Sequence, residues 1–233
     1  MPSDDDRNKK NDERSADGRK LLRELAARWR AADTLQYRAR AVVNHAGEFR
    51  VTVNTFARLR RPNLARLTFT GDRPEANRVR VSDGRRIYDR PRTGARTVVS
   101  AYEGRLTGDI AHPLDEAAYS IDQFFSPTPF LPLVAWGGEG PLRIDAVRRT
   151  RAVEDRASAP RDVFRIKIAR GESHDTLTLD ALSLAPLRLV RWGVHAGLAQ
   201  ELLDETYLEV LLGAPLSPYL FAWTEADERG AAR

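Results

Sequence analysis

The sequence predicts an α+β fold: an open, strongly curved antiparallel sheet of about ten to eleven strands, an incomplete barrel, with helices covering its concave face. Three observations carry this. Alternating apolar and polar residues recur in short runs over most of the 233-residue chain. Turn signals such as Asp83-Gly84 separate those runs at hairpin spacing. Helical periodicity is confined to the start of the chain and to one interruption in its middle.

Met1 to Gly18 is polar and charged without apolar periodicity, and is expected to be a disordered tail or linker. From Asp17, read as an N-cap, Leu21, Leu22, Leu25, Trp29 and Ala32 fall at helical spacing, with a Glu24 to Arg28 pair outside. This is an amphipathic helix of about four turns. After Asp33 the period changes to two. Leu35, Tyr37, Ala39, Ala41 and Val43 alternate with Gln36, Arg38 and Arg40. Across Ala46-Gly47, Phe49, Val51 and Val53 alternate with Arg50, Thr52 and Asn54, and that strand continues to Leu59.

Past Pro62, the third strand sets Ala65, Leu67 and Phe69 on one side. The fourth sets Val79 and Val81 against Arg78 and Arg80, and Asp83-Gly84 turns the chain into Ile87-Tyr88. Thr97 to Val99 adds one more short strand.

His112-Pro113 then opens a second helix, with Asp115 and Glu116 favourable in its first turn. Its apolar stripe is Leu114, Ala117, Ala118, Ile121, Phe124 and Phe125. Phe130 to Trp136, broken by Pro132, is read as a second covering segment and is too short to span a membrane. Strands resume at Leu142 to Arg151, Phe164 to Ile168, Leu177 to Leu179, Arg188 to His195 and Glu201 to Leu212. The expected organisation is a tail at 1–18, a single folded domain at 19–225 and a disordered tail at 226–233.

The chemistry-bearing residues argue against catalysis. There are no cysteines, which excludes disulfides, thiol nucleophiles and Cys-based zinc sites. The histidines His45, His112, His174 and His195 are scattered, with none at i, i+4 from a partner. No Gly-x-Ser-x-Gly elbow is present, and Gly137-Gly-Glu-Gly140 lacks the Lys-Ser/Thr of a phosphate-binding loop. Asp175, Asp180, Asp204 and Glu205 read as polar, strand-end carboxylates with nothing to shift them toward acid or base work. No cofactor, no metal and no catalytic residue is therefore expected.

The net charge is +5, carried mostly by arginine, with Lys9, Lys10, Lys20 and Lys167 as the lysines. Arg58, Arg60, Arg61, Arg78, Arg80, Arg85, Arg86, Arg90 and Arg92 crowd one region. A single-stranded nucleic acid would need aromatic platforms beside them, and Phe56 and Tyr88 are the nearby choices. No nucleic-acid partner is expected. A solvated convex sheet face, or a contact patch for anionic lipid headgroups, accounts for the arginines as well.

Arg61-Pro-Asn-Leu-Ala-Arg66 followed by Ser82-Asp83-Gly84-Arg-Arg-Ile87-Tyr88 resembles the corner and hairpin of the LolA/LolB superfamily of periplasmic lipoprotein carriers, especially its broader LolA-like branch. Leu184-Ala-Pro-Leu-Arg-Leu-Val190 and Phe221-Ala-Trp223 resemble later pieces of the same family. The resemblance covers about Arg19 to Trp223. It implies a non-catalytic half-barrel that binds and transfers lipid or acylated lipoprotein in an apolar cavity under a helical lid. On that reading Leu35, Tyr37, Val43, Phe49, Val51, Val53, Leu67, Phe69, Val79 and Val81 line the sheet side, and Leu114, Ile121, Phe124, Phe125, Phe130, Leu131 and Trp136 form the lid.

It also implies lipid or acyl-chain partners, membrane-anchored donor or acceptor proteins, a monomer, and an extracytoplasmic place in the cell envelope. The opening Met1-Pro-Ser-Asp-Asp-Asp-Arg shows neither a signal peptide nor a lipidated cysteine, so the targeting segment or anchor is expected to lie outside this chain. The alternative on the same fold is a sensor or protein-interaction module with a filled, dry interior that regulates an envelope process.

Overall fold

The computed structural model describes residues 4–45, 49–73, 76–91, 96–101, 143–152, 160–170, 172–195, 198–224 and 227. The expected second helix and the Phe130 to Trp136 segment, the two elements expected to cover the sheet, lie outside the described residues. Within those residues there is one long helix, α1 (Asp4–Ala31), and an open antiparallel sheet of eleven strands.

The strands are β1 (Thr34–His45), β2 (Phe49–Arg60), β3 (Leu64–Gly71), β4 (Arg78–Asp83), β5 (Arg86–Pro91), β6 (Val98–Ala101), β7 (Arg143–Ala152), β8 (Arg161–Arg170), β9 (Ser173–Asp180), β10 (Pro186–His195) and β11 (Leu198–Leu212). Their hydrogen-bonded order is β6-β5-β4-β3-β2-β1-β11-β10-β9-β8-β7, two meanders of sequence neighbours. The described residues form two compact units. One draws on Met1–Arg28 with Thr128–Thr206, the other on Trp29–Pro127 with Tyr207–Arg233.

Helix α1 begins at Asp4, well before the apolar stripe, so Asp17 lies inside it rather than capping it. Asp4, Asp5 and Asp6 stand in its first turn, where the helix dipole favours negative charge, and the poor helix formers among residues 8–18 are carried by propagation from the packed turns that follow. Of the expected stripe, Leu22, Leu25, Trp29 and Ala32 are buried and Leu21 is half-buried; Ala26 is buried beside them. The Glu24–Arg28 pair forms at 2.9 Å on the exposed side, where such pairs contribute a few tenths of a kcal/mol.

In the unit containing β1 to β6, the register fixes what shares a face. Leu35 opposes Leu59, Tyr37 opposes Ala57, Ala39 opposes Thr55, Ala41 opposes Val53, and Val43 opposes Val51. Thr55, Ala57 and Leu59 in turn oppose Phe69, Leu67 and Ala65. All of these are buried, and they form continuous cross-strand rows on one side of β1, β2 and β3.

The two resemblance motifs prove to be one hydrogen-bonded corner. Arg61 donates from Nε to the carbonyl of Ala32 and from Nη2 to that of Trp29, both 3.1 Å, satisfying carbonyls at the C-terminal end of α1. Asn63 Nδ2 donates to the Gly84 carbonyl at 2.7 Å, and Ser82 Oγ donates to the Asn63 carbonyl at 2.8 Å. Asp83 Oδ1 accepts from the backbone N–H of Arg85 and of Arg86, each at 2.8 Å. Burial works to raise the Asp83 carboxyl, but these N–H groups and the Tyr88 hydroxyl outweigh it and hold it below the usual carboxylate value. Gly84 sits at φ 93°, a backbone region only glycine enters without strain.

The other unit repeats the device at its β9–β10 turn. Asp180 Oδ1 accepts from the N–H of Leu182 at 3.0 Å and of Ser183 at 2.8 Å.

Candidate functional site

The candidate site is the apolar face of β1, β2 and β3. Of the expected lining residues, Leu35, Tyr37, Val43, Val51, Val53, Leu67 and Phe69 lie on it and are buried; Phe49 belongs to the same strand face by its backbone register, opposite His45. Leu114, Ile121, Phe124, Phe125, Phe130, Leu131 and Trp136 lie outside the described residues.

Val79 and Val81 are on the other side. Val81 pairs with Arg66 and Val79 with Thr68, whereas Arg80 pairs with Leu67, Arg78 with Phe69 and Ser82 with Ala65. The apolar face therefore continues across β4 through arginines. Val81 is nevertheless fully buried, because the reverse face of β3 and β4 has its own cover. The short 3-10 helix Pro218–Phe221 packs there, with Phe221 buried. Trp223 stacks on Tyr88 at 5.4 Å between ring centroids and 9° between planes. Arg66 pairs with Asp227 and donates to the Leu220 carbonyl. A valine–arginine alternation with two buried faces cannot be assigned by period alone, which is why alternation by itself puts these valines on the wrong side.

The arginines on the apolar face are held by Asp89, which opposes Arg80 on β5. Asp89 Oδ2 accepts from Arg80 Nη2 at 2.8 Å and Nε at 3.3 Å, and from Arg78 Nη1 at 3.4 Å. The Arg80 side chain is 6% exposed. Charge survives at such a place only when paired and hydrogen-bonded.

The other unit shows the same composition on its own buried face. Ile166, Leu177, Leu179, Leu189 and Leu203 are buried there, and Arg191 Nε donates to Asp175 Oδ1 at 3.0 Å among them. Glu205, opposite Leu189, is 0% exposed. Asp175 and Glu205 are thus interior groups and not strand-end surface carboxylates. Asp180 keeps the expected strand-end placement, as the last residue of β9. Asp204 does not: it lies in the middle of β11, half-buried, accepting two 2.7 Å hydrogen bonds from Arg188 on β10. Sequence reasoning missed this polar lining because Arg and Asp in alternating strands look the same whether they face water or a buried partner.

Of the four histidines, His174 is placed in full: it stacks on Trp192, 6.0 Å between centroids. Among the described residues no three His, Asp or Glu groups gather as a metal site, and no helix is long and apolar enough to cross a membrane.

No family model and no curated protein matches the chain. Solved structures do. An uncharacterized conserved protein from Thermus thermophilus is 10% identical, with a TM-score of 0.52 over 89% of this chain and 94% of that one. A LolA superfamily protein from Nitrosomonas europaea is 11% identical, with a TM-score of 0.41 over 88% and 97%. MucB in its complex with MucA from Pseudomonas aeruginosa is 19% identical, with a TM-score of 0.41 over 89% of this chain and 61% of that one. At these identities the likeness is one of fold alone.

Proposed function

We propose that this chain is a non-catalytic, extracytoplasmic binding module that carries lipid or the acyl chains of lipoproteins against the apolar face of β1, β2 and β3, under a lid supplied by Leu114 to Phe125 and Phe130 to Trp136. The observation that supports it best is the unbroken set of apolar cross-strand rows, Leu35–Leu59–Ala65 and Tyr37–Ala57–Leu67, on an open sheet. Each methylene buried on such a surface contributes roughly 0.8 kcal/mol, so a long acyl chain supplies on the order of 10 kcal/mol before association costs. That affinity needs no polar chemistry and no cofactor. The corner formed by Arg61, Asn63 and Ser82 would serve as a rigid rim for it.

A second reading has its own support. Leu35, Leu67 and Phe69 are 0% exposed, and the same face carries the Arg80–Asp89 pair, so a filled, dry interior serving a protein-binding sensor also fits. Native mass spectrometry of the purified chain, with organic extraction of what it releases, separates the two. The carrier reading expects a stoichiometric acylated species, diminished in Phe124→Glu while the fold is kept. A mass that stays at the bare chain after incubation with lipids and acylated peptides would favour the sensor.

A further inference from the structure

The reverse face of β1 and β2 gathers charge that the carrier reading does not use. Arg38 and Arg40 on β1 and Arg58 and Arg60 on β2 share that face, alternating with the buried apolar rows. Arg38 and Arg40 are exposed. Arg38 reaches Glu209 only at 3.9 Å, and Arg40, Arg58 and Arg60 have no ion-pair partner among the described residues. Arg66, next in the row on β3, is already neutralised by Asp227. Partial burial, then the neighbouring charges of Arg66 and Arg38, lower the pKa of Arg58.

The aromatic rings beside this patch are occupied. The guanidinium carbons of Arg38 and Arg58 lie 5.0 and 4.2 Å from the Phe56 ring centroid, and Tyr88 is stacked on Trp223. Bases of a single strand would have no free platform on which to stack. What is left is a sheet face of positive charge, with Arg38 and Arg58 stacked on Phe56. A surface of that kind fits a planar array of negative charge better than any single anion.

We propose that the Arg38, Arg40, Arg58 and Arg60 face is a docking surface for a bilayer containing anionic phospholipids. Attraction of this kind is worth about a fivefold gain in partition for each arginine near the surface, and it is screened by salt. It requires no cargo. Native mass spectrometry tests the carrier reading and vesicle partition tests this face, so either fails without the other.

The experiment is co-sedimentation of the full chain with vesicles of phosphatidylcholine alone and of phosphatidylcholine mixed with phosphatidylglycerol. The wild type is expected to pellet with the mixed vesicles at low salt, to be released by salt, and to stay in solution with phosphatidylcholine alone. Arg40→Gln/Arg58→Gln/Arg60→Gln should lose roughly a hundredfold in partition, about fivefold per charge. Arg19→Gln/Arg30→Gln/Arg151→Gln, which removes the same charge from exposed positions elsewhere, should stay within a few fold of wild type. Arg40→Gln/Arg60→Gln keeps both guanidinium contacts to Phe56 and guards against a folding defect; its expected loss is about twenty-five-fold. Equal pelleting with neutral vesicles, equal losses in the two triple variants, or binding of a single-stranded oligonucleotide or polyglutamate that survives higher salt than the binding to mixed vesicles would overturn the proposal.

Discussion

Replacing Arg80 with leucine tests the register at β4 and, with it, the polar lining of the apolar face. If Arg80 faced water and Val81 faced the core, the substitution would change stability by less than about 0.5 kcal/mol. The structure instead gives Arg80 5% exposure and two hydrogen bonds to Asp89 Oδ2, at 2.8 and 3.3 Å. Removing one member of such a pair strands the other, at a cost of roughly 3–5 kcal/mol. Asp89 keeps the 3.4 Å contact from Arg78 and is itself 22% exposed, so the lower end, about 3 kcal/mol, is expected. At roughly 2–4 °C per kcal/mol for a protein of this size, the midpoint of thermal unfolding falls by about 6–12 °C.

Urea unfolding followed by both circular dichroism and tryptophan fluorescence measures it. Coincident transitions with an unchanged slope are needed for a single free energy, since the chain holds two compact units. Arg80→Leu/Asp89→Leu should recover part of the loss, because the burial cost of both charges disappears together while Arg78 gives up its 3.4 Å contact to Asp89. A loss below about 0.5 kcal/mol for Arg80→Leu would refute the register argument and return Val81 to the apolar face.

Two further predictions concern the reverse face and the corner. Burial acts to raise the Asp227 carboxyl, but hydrogen bonds from Arg66 and Thr224 outweigh it and hold it below the usual carboxylate value. A depressed carboxylate contributes stability that is complete above its unfolded pKa and is lost as pH falls through the folded one. The unfolding free energy of Asp227→Asn, read from urea titrations, should therefore lie furthest below wild type at neutral pH, by about 1–3 kcal/mol, and the two should converge in acid; parallel curves would show that the ion pair does not form. Gly84→Ala should cost about 1–2 kcal/mol, because φ is 93° and a Cβ would stand 2.9 Å from Asn63 Oδ1. Equal urea midpoints for Gly84→Ala and wild type would mean that the corner relaxes and is no rigid rim.

Local patterns already specified much of this protein. The change from a 3.6-residue to a two-residue period at Asp33 marks where α1 ends and β1 begins, and the expected ten to eleven strands compare with eleven among the described residues. Asp83-Gly84 had to be a hairpin because φ above zero there is cheap only for glycine. Seven of the expected sheet-side residues, Leu35, Tyr37, Val43, Val51, Val53, Leu67 and Phe69, are buried together, since strict alternation beside charged neighbours leaves them one side to take. Only the tertiary structure decided which side of β4 is which. A strand flanked on both faces offers two buried environments, and Val81 fills one under Phe221 and Trp223 while Arg80 fills the other against Asp89. The same holds for Asp175, Arg191 and Glu205: a charge becomes an interior group only when strands distant in sequence bring it a partner, and no window of neighbouring residues contains that information.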